Sequence, residues 1–238
     1  MVDVPDELTL DAIGARVLGC LIEKQATTPD AYPITLNALT TACNQSTSRD
    51  PVMSLSPSEV EAAVIELKAL GLARVVHPGA GERATKYRHV IDEGLGLEPA
   101  ERALVGLLLL RGAQSSAELR TRAERLHRFA DVADVDRALG ALASGRADGR
   151  ELVRCVGRRP GQRDDRWIQL LEEGAEERAE AQLAAPDSAH SGGTASTAGR
   201  LAEIEARLGA LEERVDRLVV ALGDLVDPID PIDPIDHE

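Results

Sequence analysis

A short polar segment between two helix-like stretches holds the residues of this chain best suited to chemistry. Over residues 39–60 the letters are LTTACNQSTSRDPVMSLSPSEV, with a cysteine, two amides and an Arg-Asp pair. A nucleophilic cysteine needs a neighbouring base or a helix N-terminus that lowers its pKa. Cys43 lies instead near the end of its predicted helix, where the helix dipole raises the pKa of a thiol. We therefore predict no catalytic residue here and interpret Cys43 as a small packed residue.

The other polar residues of this segment have two interpretations. In the first, Asn44 closes the helix in a left-handed conformation, and Arg49 with Asp50 ties the loop through hydrogen bonds. In the second, the loop is a contact surface for a partner. Both interpretations stay open at this point, and the candidate binding residues are Asn44, Gln45, Arg49 and Asp50.

Cofactor and metal chemistry find little support in the sequence. The three cysteines, Cys20, Cys43 and Cys155, have no paired spacing, which argues against a disulfide framework and a zinc knuckle. Gly79 and Gly81 lie in a turn between two predicted strands, so they do not form a phosphate-binding loop. We predict a non-enzymatic protein without metal or cofactor.

The elements that carry the polar segment follow the order helix, helix, helix and two strands over residues 1–95. The clearest helix start is Ser56, followed by Pro57 and by Glu59 as the partner in a capping box. After this third helix, the letters LARVV and TKYRHV flank a glycine-rich turn and predict a hairpin. Three helices followed by a hairpin are typical of a winged helix.

Residues 96–171 repeat the same plan. The letters ARVLGCLI recur as ERALVGLLLL, and the aromatic residue of the hairpin, Tyr87, recurs as Trp167. A structural duplication explains these parallels, because apolar positions and turns recur in one order. The sequence therefore predicts a mainly α fold with small β-hairpin wings (α+β), built from two tandem winged-helix domains, 1–95 and 96–171.

The rest of the chain has a different character. Residues 172–199 are acidic and then rich in small polar residues and helix breakers, which is typical of a flexible linker. Residues 200–226 carry a heptad pattern that predicts a coiled coil, and the Asp-Pro-Ile repeats of 227–238 predict a disordered acidic tail. We expect the coiled coil to form a parallel homodimer, with a trimer as the alternative. Its seam residues are Leu201, Ile204, Leu208, Leu211, Val215, Leu218, Leu222 and Leu225.

The charge distribution bears on the choice of partner. The formal net charge is −14, and most of it belongs to residues 172–238. The predicted third helices also present more carboxylates than basic groups on their outward faces, which opposes insertion between DNA phosphates. We therefore favour a protein partner, of unknown identity, contacted through the winged helices.

Arginines elsewhere in the second copy support an alternative. They lie on the middle helix and in the wing, where they form either a solvated surface or a contact for nucleic acid or an acidic partner. The alternative function is that of a transcriptional regulator which binds the DNA backbone weakly. The candidate residues are Arg120, Arg125, Arg128, Arg158, Arg159 and Arg163.

The expected location is the cytoplasm. No stretch approaches the roughly 20 apolar residues that a membrane span needs, and the N-terminal letters MVDVPDELTLD lack the features of a signal peptide. We expect no contact with a membrane.

Several motifs resemble those of the YceH-like family of uncharacterised bacterial proteins. They are RVLGCLIEKQATTPDAYPITLNAL, ACNQSTSRDPVM, KYRH and RGAQSSAELRTRAERLHRF, in one order within about residues 9–171. This chain departs from the family pattern at 46–48, Asp50, Trp167 and Gln169. The resemblance implies a tandem winged-helix fold and brings no established activity with it.

Overall fold

The computed structural model describes residues 8–78, 84–145, 149–158 and 164–184. The chain divides into two units, Met1–Ala185 and Pro186–Glu238, and every described residue belongs to the first unit. The predicted coiled coil, its seam residues and the acidic tail therefore lie outside the described residues, as does most of the predicted linker.

Helices and short strands alternate in the same order in two successive halves. The first half contains α1 (Ala12–Thr27), a 3-10 turn (Pro29–Ala31), β1 (Ile34–Thr35), α2 (Leu36–Cys43), α3 (Pro57–Ala69), β2 (Ala73–Val76), β3 (Lys86–His89) and α4 (Ile91–Leu95). The second half contains α5 (Pro99–Arg111), β4 (Gln114–Ser115), α6 (Ser116–Ala123), α7 (Val132–Ala143), β5 (Val153–Gly157), β6 (Arg166–Gln169) and α8 (Ala175–Ala184). The predicted α+β class is confirmed.

Each half contains a three-stranded antiparallel sheet. The strand orders are β1-β3-β2 and β4-β6-β5. The aromatic residues occupy matching positions on the middle strands. Tyr87 is paired with Ile34 and Val75, and Trp167 is paired with Gln114 and Cys155. The edge strands β1 and β4 were not predicted, since two residues are too few to display an alternating pattern.

Side-chain caps fix several helix starts. The predicted capping box of Ser56 with Glu59 is confirmed at α3, and a second capping box, Ser115 with Glu118, begins α6. The first helix begins at Ala12, because the side chain of Asp11 accepts a hydrogen bond from the Gly14 amide at 2.6 Å and caps α1.

One hydrophobic core extends through both halves, and α1 and α5 lie against each other at its centre. Their contact is close at two glycines, because an added Cβ would lie 2.9 Å from Leu110 Cγ at Gly19 and 2.7 Å from Ile22 Cγ2 at Gly106. Burial of each large aliphatic side chain contributes about 1.5–3 kcal/mol. The two halves therefore share one hydrophobic core and do not form separately packed domains.

Backbone pairing also joins the start of the first half to the end of the second. The Leu10 amide donates to Leu171 O at 2.7 Å, and the Glu173 amide donates to Leu10 O at 2.9 Å. Beyond this point α8 packs on the second half, where Ala179 is buried with Ala113 and Ile168. None of the helices in the described part of the chain has the length and apolar character that a bilayer crossing requires.

Candidate functional site

The loop between α2 and α3 is built around the guanidinium of Arg49. This side chain is fully buried, and its five N–H groups have five acceptors. Nε donates to Ala42 O, Nη1 to Ser48 O and Glu23 Oε1, and Nη2 to Gln45 Oε1 and to Glu23 Oε2 at 2.6 Å. No donor remains for a partner, so these contacts favour the loop-tying interpretation of Arg49.

Two residues of this network were missed in the sequence. Glu23 holds both outer nitrogens of Arg49, and although burial opposes its ionisation, the Arg49 contact keeps its pKa below the ordinary value. Arg16 is also buried and donates to Cys43 O at 3.1 Å and to Pro51 O at 2.5 Å. The available signal was spacing, since Arg16, Cys20 and Glu23 lie on one face of α1.

The rest of the loop is held by Asn44 and Asp50. The expectation that Asn44 ends α2 in a left-handed conformation is wrong, because its φ is −91°. Its side chain instead donates to Leu55 O at 2.8 Å and accepts from the Leu55 amide at 2.7 Å, which fastens both ends of the loop together. The Asp50 amide donates to Leu110 O at 2.9 Å and ties the loop to α5.

The cysteine beside this network has the environment of a core residue. Cys43 and Cys20 are both fully buried and carry free thiols. A hydrogen bond with the Cys20 thiol, together with burial, raises the pKa of Cys43 well above the ordinary value of a thiol. A raised pKa disfavours the thiolate that a nucleophile requires.

Strand β3 carries a buried histidine, His89, whose pKa differs strongly from the ordinary value. Burial lowers the pKa of His89 to about 4. Its Nε2 pairs with Gln25 Oε1 at 2.8 Å, whereas Nδ1 has no hydrogen-bond partner. His89 does not contact Cys43, so the structure does not assemble a thiol–imidazole pair from these two residues. No cluster of three or more His, Cys, Asp or Glu side chains suited to a metal occurs within the described ranges.

The third helices of the two halves, α3 and α7, carry the exposed apolar groups. Among the described residues, three large hydrophobic side chains are exposed. Ile65 on α3 is 60% exposed and Val132, the first residue of α7, is 37% exposed. Val52, in the loop that precedes α3, is 60% exposed. Exposed carboxylates lie on the same helices, Glu61 and Glu66 on α3 and Asp136 on α7, together with the exposed basic residues Lys68 and Arg137. We call these two helix faces the third-helix surfaces.

The candidate arginines of the second half are spread over a different surface. Arg120 and Arg128 line a groove of about 400 Å³ at the end of α6, together with Glu124 and the edge of Phe129. Arg125 and Arg158 are exposed, and Arg120 donates to Ala130 O at 3.2 Å. Arg159 and Arg163 lie outside the described residues.

Comparison with known proteins places the chain among proteins of a single kind. The family described as "Protein of unknown function, DUF480" matches residues 10–162. A UPF0502 protein of Pseudomonas syringae pv. tomato is 46% identical over 215 residues, which are 90% of this chain and 93% of the relative. A UPF0502 protein of Geobacter sulfurreducens is 46% identical over 77% of this chain and 81% of its own length. The UPF0502 protein YceH of Salmonella paratyphi A is 44% identical over 90% of this chain and 98% of its own length.

Proposed function

The chain belongs to the DUF480 family of proteins of unknown function, and from this premise we propose that it is a non-enzymatic regulatory binding module with a protein partner. The resemblance to the YceH-like family that the sequence motifs indicated is confirmed by these relatives. The family is one of unknown function, so the proposal depends on the surface chemistry of this chain.

We further propose that the two halves are tandem winged helices. Support comes from the order of three helices and a hairpin in each half and from the third strand that completes each sheet. In such a fold the third helix is the usual contact element. The third-helix surfaces are therefore the place to look for a partner.

The observation that carries the proposal is that Ile65 and Val132 are exposed on helices that also carry exposed carboxylates. Burying these exposed aliphatic side chains against a protein partner would remove apolar surface from water and so favour association. The carboxylates beside them would be repelled by DNA phosphates, which a nucleic-acid interface avoids. Both features of the third-helix surfaces thus favour a protein.

A non-enzymatic role is consistent with the loop chemistry. The donors of Arg49 are all used within the loop, and the raised pKa of Cys43 disfavours a thiolate. The polar segment that looked most like an active site thus serves to hold α2 and α3 in place.

Affinity capture with matched variants tests the partner proposal. Full-length protein, Ile65→Asp and Val132→Asp would each be used as bait, and Ala38→Asp on the exposed side of α2, outside both third-helix surfaces, would be the control. We expect a protein that the control retains and at least one of the third-helix variants loses, and that binds the purified chain directly. Identical profiles for all baits would contradict the proposal.

The second wing supports the alternative function, weak contact with the DNA backbone. Arg158 is exposed on the described part of this wing, and arginines neutralise phosphates without reading sequence. Fluorescence anisotropy with random duplex DNA should then show strongly salt-sensitive binding that is lost when Arg158, Arg159 and Arg163 are replaced by Ala. Tight binding that survives this replacement would contradict the backbone-contact alternative.

We also propose that the chain is a homodimer through the heptad segment 200–226, with a trimer as the alternative. Eight aliphatic seam residues per chain provide the association energy. Light scattering at micromolar concentration should give a dimeric mass for the full chain and a monomeric mass for Leu211→Lys with Leu218→Lys. An unchanged mass in that variant would contradict the proposal.

A further inference from the structure

A groove on the second half combines an aromatic ring with several carboxylates. It has a volume of about 340 Å³ and lies between the start of α7 and strands β5 and β6. We call it the acidic–aromatic groove, and its main lining residues are Val132, Asp136, Cys155, Asp164, Asp165 and Trp167.

The duplicated fold shows what is special about this groove. In the first half, Tyr87 occupies the matching strand position and is only 6% exposed. Burial and the neighbouring Glu61 carboxylate raise the pKa of its phenol. Asp136 is the fifth residue of α7, as Glu61 is of α3. However, Trp167 has no hydroxyl to face it, and Asp136 accepts a hydrogen bond from Ser116 Oγ at 2.5 Å instead.

The consequence is an indole that remains half-buried beside an acidic surface. Among the described residues that line the groove, none is basic. Two described arginines nearby have partners outside the groove. Arg154 pairs with Glu151 and Glu176 on the opposite face of β5, and Arg166 donates to Ala113 O at 2.7 Å and lies 3.2 Å from Glu118 Oε2. Three carboxylates thus lie at the groove, and no basic side chain of the described ranges lines it with them.

The chemistry of this lining selects one kind of ligand group. A guanidinium is planar, stacks on an indole face and forms forked hydrogen bonds with carboxylates. An aliphatic side chain would desolvate the carboxylates without compensation, and a phosphate would meet like charges. Of these three groups, only the guanidinium suits both the ring and the acids.

We propose that the acidic–aromatic groove binds an arginine side chain of a basic segment in the protein partner. This inference rests on the proposed function, since it names the chemistry by which the third-helix surface of α7 recognises that partner. Val132, at the rim of the groove, would cover the aliphatic part of the same arginine or of its neighbour.

The chain contains a built-in reporter for this binding. Trp167 is its single tryptophan, so the emission of the full-length protein can be titrated with acetyl-Gly-Arg-Gly-Arg-amide. The same peptide with citrulline at both arginines is the neutral, nearly isosteric control. We expect a saturable change in emission with the arginine peptide, weakened by salt, and an affinity for the citrulline peptide that is lower by about tenfold or more.

Cys155 supplies an independent readout. It is exposed within the groove, whereas Cys20 and Cys43 are fully buried, so a coloured disulfide reagent should modify one thiol rapidly. The arginine peptide should slow that modification and the citrulline peptide should not. If both peptides act equally, if neither acts saturably, or if random duplex DNA protects Cys155 where the arginine peptide does not, the inference is overturned.

Two variants locate the binding site. Asp164→Asn with Asp165→Asn removes two of the carboxylates while keeping the side-chain size, and we expect about tenfold weaker binding of the arginine peptide. Asp30→Asn, exposed in the 3-10 turn of the other half, removes a charge outside both third-helix surfaces and should leave the affinity within about twofold. Equal losses in both variants would mean a general charge effect and would overturn the inference.

The outcomes separate this inference from the proposed function. If the third-helix variants lose a captured protein while the arginine peptide fails to bind, the groove inference falls and the binding-module proposal stands. If the peptide binds at the groove while no bait retains a protein, the inference stands and the binding-module proposal falls.

Discussion

The first helices of the two halves share a position in the fold but differ in what they bury. Gly19 of α1 and Gly106 of α5 lie at the same distance from their N-cap residues, so the two helices can be compared residue by residue. Arg16, Cys20 and Glu23 of α1 correspond to three apolar residues of α5, namely Ala103, Leu107 and Leu110. The first half therefore buries an ionic network where the second buries aliphatic side chains.

The middle strands differ in how completely their buried polar residues are hydrogen-bonded. His89 of β3 and Gln169 of β6 occupy matching positions. The Gln169 amide is engaged on both sides, because it donates to Glu172 and accepts from the Leu171 and Glu172 amides. By contrast, Nδ1 of His89 has no hydrogen-bond partner and lies 3.7 Å from Asp92 Oδ1.

These differences teach that the two halves share a backbone plan while each uses its polar residues differently. In the first half they hold a long loop in place, and Tyr87 is covered. In the second half the loop is shorter, and Trp167 remains partly accessible in the acidic–aromatic groove. The first half is the more internally cross-linked, and the second is the more open to a ligand.

The largest expected effect comes from removing the centre of the ionic network. Arg49→Ala would leave Glu23, whose side chain is only 16% exposed, with Lys24 at 3.6 Å as its remaining cation. Three other acceptors of Arg49 would also lose their donor, and we expect a cost of about 3–5 kcal/mol in the free energy of unfolding. Urea denaturation followed by far-ultraviolet circular dichroism measures this loss.

The second half offers a control with the same ion-pair distance. Arg137 lies 2.6 Å from Asp134, as Arg49 does from Glu23, but its side chain is 74% exposed. Arg137→Ala should cost at most about 1 kcal/mol. Similar losses in the two variants would remove burial as the basis of the comparison.

The next effect is a pH dependence confined to the first half. The pKa of His89 is lowered to about 4 by burial, whereas an unfolded histidine has a pKa of about 6.5. Between these values the unfolded chain binds the proton and the folded chain does not, so stability is complete above about pH 6.5 and falls as the pH decreases towards 4. The loss attributable to His89 is about 3 kcal/mol.

His89→Gln gives the first half the residue that the second half carries at this position. We expect the variant to lose markedly less stability than the parent protein between pH 7 and pH 4.5, as measured by urea denaturation at both values. His77 is exposed and directly follows β2, so His77→Gln is the matched control. An unchanged pH dependence in His89→Gln would show that the histidine is not the source of the acid sensitivity.

The sequence was informative about elements and poorly informative about partners between elements. Capping residues and hairpin turns are local signals, so α3, α6 and both hairpins were predicted correctly. The role of Arg49 depends on Glu23, which lies on another helix, and the two edge strands exist only because a partner strand extends them. The acidic–aromatic groove likewise needs the register of three elements, although the change from Tyr87 to Trp167 was visible in the letters.

The smallest effect tests what the two halves have in common. At Gly19 an added Cβ would lie 2.9 Å from Leu110 Cγ and 3.2 Å from Leu109 Cβ, so Gly19→Ala must push α1 and α5 apart. Overpacking of this kind costs about 1–3 kcal/mol, of which the better helix propensity of alanine returns up to about 1 kcal/mol. Gly140 on α7 has no atom within 4 Å of an added Cβ, so Gly140→Ala should instead stabilise the protein by about 0.5–1 kcal/mol. Opposite signs in denaturant titrations would establish that close approach of α1 and α5 requires the glycine, and a stabilised Gly19→Ala would show that the helices yield without cost.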